Sequence, residues 1–299
     1  MTGNLLAVGE TMAMIAPRSA ERLNAATLFR VDSGGAESNV ASHVAALGHP
    51  SAWFSRVGID PLGDRILQGL AARGIDVSGV MRDTDHPTGL YLKDPGYGVY
   101  YYRAGSAASF LSRADADAVE FDGVSVLHVS GITALLSRSA AEFLDRLMAR
   151  AHSHGVRISF DVNHRPALCD ADTAGAVLQS FALRADILFV GRDEAERLWG
   201  TTSAPAVRSW FPQVAELVVK DGANGVTSYL GDEITFVPSP RVPVVEEVGA
   251  GDAFAGGYLA ALLDGASAIE RLRLGHARAG LTLATTADWP GDDENSVEG

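Results

Sequence analysis

A single cysteine, Cys169, stands among 299 residues, so no disulfide can close within this chain. Positive charge is scarce as well. The 24 lysines and arginines face 37 acidic residues, a formal net charge of −13, which argues against a nucleic-acid surface or an anionic membrane as partner. No apolar window reaches the length a bilayer span needs, and Met1-Thr2-Gly3-Asn4-Leu5 has neither a basic n-region nor a signal-length apolar run. A cytoplasmic location is the expectation. No Pro/Ser-rich linker divides the chain, and no internal repeat is visible. What is present is a 47% hydrophobic composition, enough to bury a large core in one big α/β domain or two smaller ones. An acidic protein that binds anions must gather its positive charge locally.

Short apolar runs alternate with longer helical patterns. Residues 5–8 read as a strand, 38–47 as a helix closed by Gly48, and 52–57 as a second strand, in βαβ order. Asp60 and Pro61 supply an N-cap and an N1 proline for the next helix, which Gly74 ends. Residues 124–129, 156–160, 186–190 and 217–219 read as buried parallel strands, with helices at 139–151, 171–183 and 193–198 between them. The expected fold is α/β, a doubly wound, mostly parallel sheet flanked by helices. One region breaks the pattern. Residues 89–93 and 99–103 flank a turn at Asp94-Pro95-Gly96 and read as an aromatic-rich β-hairpin. With residues 28–31 it forms either a small separate sheet or an antiparallel extension of the main one. A separate sheet would be a lid, with segments near 11–33 and 86–108, able to cover a site and exclude water. One domain over residues 1–290 is expected, and the acidic residues 291–299 are expected to be a disordered tail.

The densest chemistry lies at Gly249-Ala250-Gly251-Asp252-Ala253-Phe254. Glycines there let backbone N–H groups approach an anion, and the following helix, with Phe254, Leu259, Leu262 and Leu263 on a buried side, brings its positive end to the same spot. Asp252 in the first turn is placed to take a proton from a substrate hydroxyl. A tight strand-to-helix turn with a capping acid is the competing account. Two other phosphate motifs are excluded. Gly256 is followed by Gly257 and Tyr258 rather than the Lys and Ser or Thr of a Walker A loop, and Phe254 stands where a dinucleotide fingerprint needs glycine.

Three further groups carry polar chemistry. Gly34-Gly35-Ala36-Glu37-Ser38-Asn39 precedes a helix, where Asn39 can donate to and accept from polyol hydroxyls, or Ser38 simply caps. Arg103 ends the hairpin, and Arg165 follows a strand in Asp161-Val162-Asn163-His164-Arg165, the layer where open α/β sheets bind ligands. Together they could clamp a carboxylate, although surface salt bridges are the commoner fate of an arginine. Lys220-Asp221-Gly222-Ala223-Asn224-Gly225 suits a nucleotide loop or a plain hairpin turn, and Glu194 suits a hydrated Mg²⁺ or a helix cap.

Taken together these segments, with Arg56-Val57-Gly58-Ile59-Asp60-Pro61-Leu62-Gly63, resemble the ribokinase-like (PfkB) carbohydrate kinases over essentially the whole chain. The resemblance implies ATP and Mg²⁺, an anion hole at Gly249, Ala250 and Gly251, Asp252 as the base, and a β lid through which a homodimer or higher homo-oligomer forms. A requirement for K⁺ stays open. Within the family the chain is similar to the 2-keto-3-deoxygluconate kinase subgroup at Glu37, Tyr91, 101–109 and 161–165. That similarity implies a small-molecule sugar acid as substrate, recognised by Arg103 and Arg165, with Gly34, Gly35, Asn39, Tyr91 and Tyr101 facing it. It also implies Asn163, Lys220, Gly222, Gly225 and His276 near ATP, and Glu194 holding Mg²⁺ through water. Four positions depart from the family pattern. Glu246-Glu247 replaces Asp-Thr, Gly191 replaces Asn, and His276 replaces Asn, so charge and ion contacts near the triphosphate are expected to differ. A neutral-sugar kinase such as a fructokinase is the alternative within the family, and a non-catalytic sugar or nucleotide sensor the alternative outside it.

Overall fold

The protein's structure, a computed structural model, is described for residues 4–19 and 21–285, so the acidic tail lies outside the described residues. The chain runs β1 (Asn4–Val8), β2 (Met12–Pro17), β3 (Phe29–Gly34), α1 (Ala36–Ala46), β4 (Ser51–Phe54), β5 (Arg56–Gly58) and α2 (Pro61–Ala72). It continues through β6 (Ile75–Asp76), β7 (Met81–Asp83), β8 (Leu90–Asp94), β9 (Gly98–Tyr102) and α3 (Arg113–Ala118). β10 (Val124–Ser130), α4 (Gly131–Leu136), α5 (Arg138–Ser153), β11 (Arg157–Asp161), α6 (Ala171–Ala182), β12 (Ile187–Gly191), α7 (Arg192–Trp199) and α8 (Ala204–Trp210) follow. The last elements are β13 (Glu216–Asp221), β14 (Gly225–Leu230), β15 (Glu233–Val237), α9 (Ala250–Leu263) and α10 (Ala268–Leu283).

Among the described residues the main sheet has the order β15-β14-β13-β12-β11-β10-β1-β4-β6, parallel from β13 to β6 and closed by the antiparallel pair β14 and β15. The parallel strands read as continuous apolar runs because helices cover both faces. Phe143, Leu147, Phe160 and Leu178 pack on one face, and Val40, Trp53, Phe189 and Leu259 on the other. β1 lies between β4 and β10, the switch point of the sheet. The carboxyl ends of β1, β10, β11, β12 and β13 therefore open onto one shared edge.

The aromatic hairpin belongs to a separate four-stranded sheet, β3-β2-β8-β9, in which β2 pairs parallel with β8. Its strands fall within residues 12–34 and 90–102. β2 had no signal of its own, since only Gly9, Glu10 and Thr11 separate it from the apolar β1. The strand expected over 52–57 is two strands. The chain leaves the main sheet at the buried Ser55, and β5 pairs with β7 instead of a main-sheet neighbour.

α9 also differs from expectation. It has no polar side, because Asp252 through Leu262 are all buried between α1 and α10. Small residues make that close packing possible. A Cβ at Gly256 would stand 2.5 Å from the Cβ of His43, and one at Gly257 would stand 2.6 Å from the Leu274 carbonyl oxygen. A helix apolar all round is a core helix, and its only polar business is at its ends.

Candidate active site

α9 starts at the sheet's carboxyl edge. Gly249, its N-cap, has φ of 82°, a left-handed conformation that an L side chain adopts only at a cost of about 1–2 kcal/mol. Ala250 and Gly251 form the first turn at the positive end of the helix dipole, where the Ala250 N–H donates to the Glu247 carbonyl at 3.3 Å and the Gly251 N–H has no partner within the helix. Asp252 follows in the same turn, buried, and its Oδ2 accepts a hydrogen bond of 2.9 Å from Asn39 Nδ2. Burial drives the Asp252 carboxyl up to about 7, against the hydrogen bond from Asn39 and the charge of Arg165, which both lower it. Asn39 sits one turn into α1, and its Oδ1 is buried without a hydrogen-bond partner among the described residues. Gly35 lets that helix start against the β1–β2 turn, since a Cβ there would stand 2.6 Å from the Glu10 carbonyl oxygen. Gly34 ends β3, paired with Met12.

A second cluster lines up along the same edge. Lys220, near the end of β13, places its ammonium 2.7 Å from Asp161 Oδ2 at the end of β11. The same ammonium lies 3.5 Å from where a Cβ of Gly251 would be, so it stands over the start of α9. Burial alone would lower the Lys220 amine, but the carboxylates of Asp161 and Glu194 outweigh it and hold the group above its usual value. Glu194 caps α7, accepting from the backbone N–H of Gly191 and of His164, each at 2.9 Å. Its carboxyl is raised, first by burial and then by the charge of Asp161. These two bonds clamp the loop after β11 to α7. In that loop Asn163 is buried and has φ of 39°, the one non-glycine residue with positive φ among those described. Strain of this kind collects at functional sites and turns the chain so that Arg165 follows at the edge.

A cavity of about 620 Å³ opens beside this cluster, with Tyr101, Arg103, Ser109, Leu136, Arg138 and Arg165 in its wall. Both arginines expected to clamp a carboxylate are therefore in one cavity, but their states differ. Arg103 is buried and spent on Glu10, whose Oε2 accepts from its Nε at 2.7 Å. Arg165 has no ion pair among the described residues; its Nη1 donates to the His164 carbonyl at 3.5 Å. Tyr101 reaches the cavity from β9, whereas Tyr91 is buried with Met12 and Met14 in the lid's own core, its ring centroid 5.9 Å from that of Tyr101.

Other expected residues stand further off. Gly222 and Gly225 form the β13–β14 hairpin turn, with φ of 48° and 141°, and a Cβ on Gly225 would meet the Val237 carbonyl at 2.5 Å. His276 is buried, with its ring edge-on to Phe254 and Nε2 3.2 Å from the Val237 carbonyl. Glu246 does not add unmatched charge beside the glycines, because Lys93 of the lid pairs with it at 2.8 Å. Sequence reasoning missed the roles of Glu10, Asp161 and Glu37. Glu37 lies fully buried behind the site, accepting from Ser130 Oγ at 2.7 Å, and burial raises its carboxyl to about 7. Gly9 makes room for it, since a Cβ there would fall 2.1 Å from the Glu37 Cδ. The signal for Glu37 was an acid inside a glycine-rich apolar segment.

A base at a helix N-terminus beside a partly buried lysine and a sugar-sized cavity suits transfer of an anionic group to a hydroxyl. Comparison with known proteins agrees. The pfkB family carbohydrate kinase pattern matches residues 2–288. The chain is 37% identical to a 2-dehydro-3-deoxygluconokinase of Bacillus subtilis, over 95% of this chain and 90% of that protein. It is 31% identical to fructokinase-1 of Oryza sativa, over 79% of this chain and 76% of the relative. Among solved structures, the 2-dehydro-3-deoxygluconokinase of Thermotoga maritima superposes with a TM-score of 0.88 at 25% identity, covering 97% of this chain and 95% of that one. A PfkB protein from Polaromonas sp. JS666 gives 0.85 at 31% identity, covering 95% and 96%. The chain is a phosphotransferase that belongs to the pfkB family of carbohydrate kinases.

Proposed function

We propose that this kinase transfers phosphate from ATP to a hydroxyl of 2-keto-3-deoxygluconate (2-dehydro-3-deoxygluconate) or a related keto sugar acid. The observation that carries the reading is the pairing of a base poised near neutrality, Asp252, with a cavity whose wall holds the unpaired cation Arg165. A carboxylate seated by Arg165 gives charge pairing that a neutral hexose cannot supply.

The chain's own groups divide the work. Asn39 fixes Asp252 through Oδ2, and its unpartnered Oδ1 accepts from an acceptor-sugar hydroxyl. Asp252 Oδ1 takes the proton of the attacking hydroxyl, and a carboxyl near 7 is matched to that task. The N–H groups of Gly249 and Gly251, with that of Ala250 once it leaves the Glu247 carbonyl, hold charge developing on the phosphate oxygens, and Lys220 adds a cation over the same spot. The lid, carrying Tyr91, Tyr101 and Arg103, shields the reaction from water. The residues present fit a magnesium-bound nucleotide. Asp161 Oδ1 is buried without a partner, and the described residues hold no cluster of three or more His, Cys, Asp or Glu that would form an all-protein cage. Asp161 and, through water, Glu194 would hold Mg²⁺, which when bound neutralises phosphate charge. Asn163, Gly222, Gly225 and His276 would flank the nucleotide. Exposed Leu28, Phe29, Tyr100 and Tyr102 on the lid support a homodimer through that sheet, and the cytosol is the compartment that suits an ATP-dependent kinase.

The fructokinase relative favours a neutral-sugar kinase as the second reading. A coupled ADP-release assay over sugars and sugar acids, with Asp252→Ala as control, decides between them. Turnover confined to keto sugar acids is expected. Turnover of fructose alone would replace the substrate, and a control as active as the parent would remove the kinase mechanism.

A further inference from the structure

Three guanidinium groups line the acceptor cavity, and two of them are already matched. Arg103 gives its Nε to Glu10 Oε2 at 2.7 Å, and its Nη2 contacts the same oxygen. Ser106 Oγ donates to the other oxygen, Glu10 Oε1. Glu10 is 3% exposed, so this pair is held away from water and cannot exchange its partner for solvent at little cost. Arg138, at the rim, pairs with Glu142 at 3.1 Å and is 94% exposed, so water screens both charges. Arg165 alone makes no ion pair among the described residues, and stands only in the longer-range field of Asp252 and Glu194. Glu37 also stands in the field of Arg103 and, when ionised, biases the wall the same way.

We propose that Glu10 sets the charge of the acceptor site: by holding Arg103 as a neutral pair it leaves Arg165 as the one unmatched cation of the cavity wall among the described residues, so the site takes sugar acids with one negative charge and discriminates against those with two. Arg103 then contributes N–H groups but no net charge. A second carboxylate entering the cavity loses its hydration and meets no counter-charge. Glu10 is a positioning residue here, acting through Arg103. The inference rests on the sugar-acid reading of the site.

Titration calorimetry with gluconate and glucarate, six-carbon acids with one and two carboxylates, tests it. The parent should bind gluconate at least about 10-fold more tightly than glucarate. Glu10→Gln keeps an oxygen for Arg103, and the Ser106 hydroxyl can turn to accept from the new amide, while one negative charge is lost. That variant should narrow the ratio by about 10-fold or more, a selectivity change that a merely structural role would not produce. The double variant Glu10→Gln with Arg103→Gln removes the pair as a neutral unit and should keep the parent's preference within about threefold. It carries the test if circular dichroism shows the single variant unfolded. An unchanged ratio in Glu10→Gln, or a double variant that gains glucarate, overturns the assignment to Glu10 while leaving the sugar-acid reading intact. A parent that binds neither acid overturns that reading and this inference together.

Discussion

Lys93 Nζ, on the lid strand β8, lies 2.8 Å from Glu246 Oε1, in the segment that leads to Gly249. The lid and the turn that starts α9 are thus joined by a charge pair whose lysine is 7% exposed and whose glutamate is 24% exposed. A partly buried pair of this kind couples its partners by about 1 kcal/mol. Lys93→Met should therefore raise KM for both substrates about fivefold, with a smaller effect on kcat, and speed amide exchange in β8. A double-mutant cycle with Glu246→Gln measures the coupling, and additive effects would show that the contact does not position the lid.

Asp252→Asn keeps size and burial but removes the base. kcat should fall by about 10²–10⁴ while nucleotide binding persists. Because the Asp252 carboxyl sits at about 7 and its ionised form accepts the proton, kcat/KM of the parent should rise with pH through about 7 and then level. A pH–rate profile flat from pH 6 to 8 would assign proton transfer elsewhere.

Glu37 gives a stability prediction of definite sign. Its folded value of about 7 exceeds the 4.5 of an ordinary glutamate, so between those limits the folded protein holds a proton that the unfolded chain has released. Stability from this group is present at low pH and is lost as pH rises through that window, by about 3 kcal/mol in all. Glu37→Gln should remove that loss. Asp252 contributes a slope of the same sign, so the quantity to read is the difference between parent and variant in urea unfolding at pH 5 and pH 8.

Arg165→Gln should raise KM for a keto sugar acid by about 10-fold or more while leaving KM for a neutral sugar within about twofold, because a charge-assisted contact of roughly 1.5–3 kcal/mol is lost only with the acid. Steady-state kinetics on both substrates checks it. Equal losses would show that Arg165 shapes the loop after β11 rather than binding the substrate.

The parts of this molecule that were legible in the sequence are those with a local signal. Apolar runs bounded by helical patterns gave the parallel strands, aromatic alternation around Asp94-Pro95-Gly96 gave the hairpin, and Gly249 with Asp252 gave the helix start. The illegible parts depend on partners distant in the chain. Nothing around Arg103 shows that Glu10, 93 residues earlier, takes its charge. Nothing around Glu246 shows that a lid lysine meets it. α9 looked two-sided because a leucine pattern at one period says nothing about a second helix covering the other side. The break at Ser55 was hidden for a related reason: β4 and β5 are separated by one residue with no turn signal, and only tertiary pairing divides them.

The bond between Asn39 and Asp252 spans 213 residues, from the first helix to the last but one. On a ribosome adding about 5–20 residues each second, the chain exposes its lid strands, Arg103 and Arg165 well before α9 emerges. A nascent or truncated chain that stops short of residue 252 carries Asn39, Arg103 and Arg165, to which we assign the acceptor, but neither Asp252, the proposed base, nor the complete start of α9, the proposed phosphate site. Product formation is therefore a readout of finished synthesis and long-range assembly, and a split-protein sensor cut between β15 and α9 would report the reunion of its halves as catalysis.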